Sequence, residues 1–132
     1  MRIAFAADDE NDTTRAVLEH LTAEHDVIRP AQGESWPQLG AAVGQAVVDG
    51  DADFGVVMCW TGTGTAIAAN KVPGVRAALA WDAWIAEGAR KWNDANVLVM
   101  SLKRTTAESC RILFAATGNP KLVAFTTVFQ LV

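Results

Sequence analysis

What this 132-residue chain lacks narrows its class before any motif is read. It has two cysteines, Cys59 and Cys110, with no Cys-x-x-Cys pair. That is too few for a disulfide framework, which fits a reducing compartment and leaves a redox-thiol protein a weak reading. It has two histidines, His20 and His25, on or just after one amphipathic segment, and both are read as solvated surface residues. No metal and no cofactor is expected. Positive charge is short as well: 11 Lys and Arg stand against 15 Asp and Glu, for a formal net charge of −4. Without a basic stripe to offset that balance, nucleic acid is excluded as a partner. No apolar run reaches bilayer length, and the chain opens on a strand pattern rather than a charged-plus-apolar leader. A cytoplasmic protein without membrane contact is the expectation.

What is present is an apolar chain, 51% hydrophobic, of the size of one domain spanning residues 1–132. Short apolar runs alternate with longer amphipathic ones, the pattern of a parallel sheet with helical crossovers. Strands are expected at Arg2–Ala7, Asp26–Ile28, Phe54–Cys59, Val75–Ala80 and Asn96–Met100. A first helix, capped by Asp12 or Thr13, runs to about Glu24. A second starts at Ser35 or Trp36, with Pro37 in its first turn, and ends near Gly50. A third opens at the glycine turn after Cys59, and Asp82 caps a fourth. A last helix is expected from Thr105 or Thr106 to Thr117, holding Cys110 in or near the core. These elements imply an α/β fold: three α/β/α layers around a mainly parallel five-stranded sheet. The final segment, 118–132, is too apolar for a free tail and is expected to pack on its own domain or on another subunit.

The most informative run is Cys59-Trp60-Thr61-Gly62-Thr63-Gly64-Thr65, where a strand ends and a helix begins. Backbone N–H groups at such a turn, with the positive end of a helix dipole, favour an anion there. The same field favours a thiolate, so Cys59 can serve as a base or nucleophile. A buried structural cysteine ending a strand is the competing reading. Gly62 and Gly64, alternate glycines beside a strand end, imply close backbone approach or positive φ. Ligands of open parallel sheets bind outside the carboxyl ends of the strands, which puts Asp8, Asp9, Cys59 and Trp81 on one rim.

The run continues as Ala66-Ile67-Ala68-Ala69-Asn70-Lys71, Val72-Pro73-Gly74-Val75-Arg76-Ala77 and, further on, Asn93-Asp94-Ala95-Asn96. In this it resembles the ribose-5-phosphate isomerase B / galactose-6-phosphate isomerase family and its Cys-Gly-Thr-Gly-x-Gly-x-Ser-Ile-Ala-Ala-Asn-Lys segment. The resemblance spans Asp53 to about Leu98 without a gap and includes the opening strand. It implies a Rossmann-like domain and an aldose–ketose isomerase acting through an enediolate on a small sugar phosphate or sugar-like molecule. It implies Cys59, Thr61 and Asp8 as catalytic residues. For substrate binding it implies Gly62, Thr63, Gly64, Thr65 and Asn93, with Lys103, near a family arginine position, as a phosphate contact. It also implies a homodimer or higher oligomer with the site near the subunit boundary.

Four departures bear on that expectation. Asp9 stands where the family has histidine; it is kept in the substrate-binding set, although a surface placement competes. Trp92 replaces the histidine that helps open a sugar ring, and indole can donate one hydrogen bond but cannot shuttle a proton. Trp60 replaces a glycine; with Trp92 it is expected to shape a more apolar pocket. No arginine follows Arg111, and Lys121 is the only charge from Pro120 to Val132, so the family's phosphate grip is missing. An already linear substrate, or one without phosphate, follows from these losses, and ribose 5-phosphate is expected to be poor. The alternative is a non-catalytic ligand-binding paralogue or one subunit of a mixed oligomer. Asn93-Asp94 can equally serve only as a turn, Lys71 and Arg76 as surface pairs, and Trp36 and Trp84 as packing.

Overall fold

The computed structural model describes residues 1–106. The last expected helix, with Cys110, and the segment 118–132 lie outside the described residues. Five strands, β1 (Arg2–Ala7), β2 (Asp26–Ile28), β3 (Phe54–Cys59), β4 (Ala77–Leu79) and β5 (Val97–Ser101), alternate with four helices. The helices are α1 (Asp12–Glu24), α2 (Trp36–Val48), α3 (Thr63–Asn70) and α4 (Ala83–Asn93). The sheet runs β2-β1-β3-β5-β4, and every pairing is parallel. The order reverses between β1 and β3, the place where such sheets open a crevice at the carboxyl ends of their strands.

Side chains alternate across the sheet with period two, so each strand feeds two cores. Ile3, Phe5, Val56, Met58, Leu98 and Met100 pack with Val17 and Leu21 of α1 and Ala86 and Ala89 of α4. Ala4, Ala6, Val57, Val97 and Val99 pack with Leu39 and Val43 of α2 and Ala69 of α3. The first face is built from long side chains and the second from alanine and valine. The small side chains let α2 and α3 approach closely. A Cβ on Gly55 would stand 2.5 Å from Val43, and one on Gly40 would stand 2.7 Å from the carbonyl oxygen of Thr65. Strand–helix contact at Gly55 and helix–helix contact at Gly40 are open at such range only to glycine.

Several expectations move by a residue or change character. The α1 cap is Asn11, whose side chain accepts from the Thr14 N–H at 3.0 Å, one residue ahead of the expected Asp12. Ser35 and Gln38 form the capping box of α2, and Asp82 caps α4 through the Ile85 N–H at 2.8 Å. β4 is shorter than Val75–Ala80 because Gly74, at φ +92°, still turns the chain there. His20 and His25 are half-buried rather than solvated, and burial pushes both imidazoles below their ordinary value. Trp84, expected in packing, is 70% exposed, because α4 covers the edge of the sheet with its small residues Ala86, Gly88 and Ala89. Among the described residues, no helix is long and apolar enough to cross a membrane.

Candidate active site

Cys59 ends β3 on the α2/α3 side of the sheet, two residues after Val57 of that core. Its relative exposure is only 4%. The sulfur receives the Gly62 N–H at 3.3 Å and faces the Thr65 hydroxyl at 3.2 Å. The turn brings the Gly62 N–H round to the sulfur because Gly62 takes φ +85°, a left-handed conformation costly for other residues. A Cβ there would also stand 2.4 Å from Leu79 of β4.

Gly64 is small for a different reason. Its φ is ordinary, but a Cβ would lie 2.8 Å from the indole of Trp36, which rides over the first turn of α3. Trp36 thus packs on Gly64, as expected of it, while remaining 44% exposed. The two glycines therefore answer separate demands, one of conformation and one of packing.

Neighbouring strands bring further polar groups to this rim. Ala7 pairs with Met58, and the Asp8 N–H continues that pairing onto the Met58 carbonyl at 2.9 Å, which sets exposed Asp8 beside the end of β3. Exposed Asp9 follows in the same loop, its carbonyl taking the Thr14 hydroxyl at 2.7 Å. On the other side Ser101 of β5 is in register with Cys59. The buried Ser101 hydroxyl donates to the Trp60 carbonyl at 2.9 Å and accepts from the Lys103 and Arg104 N–H groups, each at 3.2 Å. That lacing stacks the Lys103 ammonium over the Trp60 indole, 4.2 Å from its centroid. Trp60, Thr61, Thr63, Lys103 and Arg104 are all exposed.

Two sequence assignments change place. Thr61, expected beside the thiol, shares its hydrogen bond with the Thr63 hydroxyl at 2.8 Å, leaving both as an exposed pair on the turn. Thr65, expected to touch substrate, is fully buried, and its hydroxyl turns inward to the sulfur. Ser101 was missed altogether. Its signal was only its place at the end of a strand, which carries meaning once the register with Cys59 is known.

Trp92 and Asn93 are not brought to this rim within one chain. They end α4, whose C-cap Asp94 bonds to Arg76 just ahead of β4, at the amino end of the sheet. A five-residue β5 at about 3.3 Å per residue separates that end from Cys59 by roughly 15 Å. Trp92 and Asn93 instead line a groove of about 300 Å³ with Trp84, Ala78 and Leu79. Asp94 adopts φ +50°, and Arg90 and Arg76 hold its carboxyl below the usual value, Arg90 foremost. The turn and surface-pair readings of Asp94 and Arg76 thus describe what they do in this fold.

The most specific part of the sequence motif serves the opposite end of α3. Asn70 donates to the Ala77 carbonyl and accepts from the Ala77 N–H, both at 2.9 Å, imitating one more strand residue at the sheet edge. Asn96 accepts from the Arg76 N–H at 2.8 Å and donates to the Gly74 carbonyl at 3.0 Å. These residues set the β4 connection.

The chain matches the family model described as Ribose/Galactose Isomerase over residues 3–117. It is 35% identical over 107 residues to YwlF of Bacillus subtilis, covering 76% of this chain and 72% of that one. It is 39% identical over 79 residues to D-erythrulose-4-phosphate isomerase 2 of Mycolicibacterium smegmatis, covering 60% and 52% of the two chains. The ribose-5-phosphate isomerase B structure from Clostridium thermocellum superposes with a TM-score of 0.77 at 33% identity, over 82% of this chain and 77% of that one. A five-stranded parallel sheet carrying a thiol and a left-handed glycine turn at its switch point, with a match over nearly the whole chain, places this protein in the ribose/galactose isomerase family of sugar-phosphate isomerases.

Proposed function

We propose that the chain interconverts an aldose phosphate and its ketose through an enediolate, with Cys59 as the base, and that its substrate is open-chain. The observation that carries this reading is the sulfur held between the Gly62 N–H and the Thr65 hydroxyl at the head of the glycine turn. A thiolate there removes a proton from one carbon and returns it to the next. N–H groups of the Thr61–Thr65 turn face the developing oxyanion. Asp8 relays protons among substrate hydroxyls, and the Thr61–Thr63 pair offers hydroxyls to substrate oxygens. Lys103 and Arg104 supply cations for the phosphate.

Trp92 cannot open a ring, so the substrate must not need opening. A four-carbon aldose phosphorylated on its terminal oxygen meets that condition, because the oxygen that would close a furanose is blocked. The name of the Mycolicibacterium relative, a D-erythrulose-4-phosphate isomerase, supports a four-carbon substrate. Asn93 can join such a site only from a second protomer, and Trp84 and Trp92, 70% and 64% exposed, offer apolar surface for a homodimer or higher oligomer. The near-burial of Cys59 favours the second reading, a ligand-binding subunit without turnover.

Steady-state kinetics on D-erythrulose 4-phosphate and ribose 5-phosphate decide between them. Turnover of the tetrulose compound should exceed that of ribose, and Cys59→Ala should lower it by about 10²–10⁴-fold. Robust ribose turnover would overturn the open-chain reading. Binding of both compounds with turnover of neither would favour the non-catalytic subunit. A monomer in sedimentation at micromolar concentration would remove the oligomer.

A further inference from the structure

We propose that Thr65 is a positioning residue for the Cys59 thiol, its hydroxyl reversing direction as the sulfur gains and loses a proton. This rests on the reading of Cys59 as the base. Thr65 is fully buried, and its Oγ1 lies 3.2 Å from the Cys59 sulfur and 3.1 Å from the Gly62 carbonyl oxygen. One hydroxyl carries one proton and cannot donate to both. A buried hydroxyl between two acceptors must choose between them, and the charge on the sulfur makes the choice.

With a thiolate, the hydroxyl donates to the sulfur beside the Gly62 N–H, giving the anion two donors. When the thiolate takes a proton from substrate carbon, the C–H electron pair passes into the enediolate and an S–H bond forms. The thiol hydrogen then points to Thr65 Oγ1, and the Thr65 hydroxyl turns to the Gly62 carbonyl. Returning the proton to the neighbouring carbon breaks the S–H bond and reverses the hydroxyl. Both protonation states are thus satisfied by turning two hydrogens, about Thr65 Cβ–Oγ1 and about Cys59 Cβ–Sγ, with no backbone movement.

The surroundings fix Thr65 for this task. The Gly40 backbone of α2 rests against the Thr65 carbonyl, close enough that a Cβ would stand 2.7 Å away, and Trp36 covers the preceding Gly64. Thr65 is held on its α2 side, with Oγ1 fixed between sulfur and carbonyl, so rotation of its hydroxyl about the Cβ–Oγ1 bond is the remaining freedom. Thr61 and Thr63 cannot substitute, since their hydroxyls are exposed and paired with each other.

The test uses Cys110→Ser protein, so that Cys59 is the only thiol, and follows the ultraviolet absorbance of its thiolate against pH. Thr65→Val and Thr65→Ala should move the absorbance rise to higher pH and lower kcat on D-erythrulose 4-phosphate about ten-fold, the scale of one hydrogen bond to a charged group. Thr65→Ser should restore both. In the unsubstituted chain, the Thr65 Cβ resonance should titrate with the Cys59 thiolate, a measurement that needs no variant to fold. A Thr65 resonance that ignores the Cys59 titration, or a Val or Ala variant with the wild-type pH profile, overturns the proposal. If Cys59→Ala keeps full turnover while Thr65→Val still shifts the thiolate profile, the Thr65–thiol coupling stands and the reading of Cys59 as base falls.

Discussion

At the N-terminal end of α3, Gly62 takes φ +85° and its N–H points to a sulfur; beyond the C-terminal end, Gly74 takes φ +92° and its carbonyl accepts from Asn96 and Arg76. Both glycines are left-handed and both belong to one contiguous motif. The first turn gathers groups that can change protonation or touch a ligand. The second gathers amides and a guanidinium that close a connection into the edge strand. One contiguous motif therefore places a thiol and hydroxyls at one end of an eight-residue helix and architecture at the other.

Paired substitutions should break that comparison if it is false. The largest contrast is expected between Gly62→Ala and Gly74→Ala. Each forces a side chain into a left-handed position, which destabilises by about 1–3 kcal/mol. Only Gly62→Ala should also lower kcat, by roughly ten-fold or more, because it displaces an N–H from the sulfur. Equal kinetic losses, with denaturant unfolding measured alongside, would erase the distinction between the two ends.

A smaller effect is expected from Asn70→Ala. It removes both hydrogen bonds to Ala77 and should destabilise by about 1–2 kcal/mol. Alkylation of Cys59 by iodoacetamide should stay at the wild-type rate. A slowed or accelerated thiol in this variant would show that the architectural end governs the chemical one.

The smallest effect is far from both ends, on α1. Burial holds His20 and His25 below the ordinary imidazole value, so the unfolded chain binds more protons than the native one as the pH drops. Stability should be full above the unfolded value of about 6.5, then fall as the pH is lowered toward the depressed native values. The His25 imidazole is half-buried and burial is the largest influence on it, so His25→Gln should flatten the fall. Thermal melts from pH 7.5 to about 5.5 read the slope. A melting temperature that rises on acidification would reverse the sign.

The sheet was legible because strand and crossover patterns are local: β1, β2 and β3 fall where the apolar runs are. The ends of β4 and β5 were less so, since Gly74 and the helix ends nearby decide where pairing begins. In the site, Cys59 and Gly62 were readable from adjacency alone. That Thr65 is buried against the sulfur was not readable, because chain spacing does not say which way the first turn of a helix is rotated against a strand end. Trp84 was read as packing, but small residues suffice to cover an edge strand, and its indole is 70% exposed.

Short-range pattern is enough to specify a parallel α/β sheet, a thiol at a strand end and a glycine turn beside it, because each depends on residues within a few positions of one another. Tertiary structure decided the rest. It chose Thr65 over Thr61 as the partner of the sulfur, brought Ser101 into register with Cys59, laid Trp36 over Gly64, and carried Trp92 and Asn93 to the far end of the sheet. Each of those outcomes depends on strand register and on how closely α2 can approach α3, quantities set by the packing of residues distant in the chain.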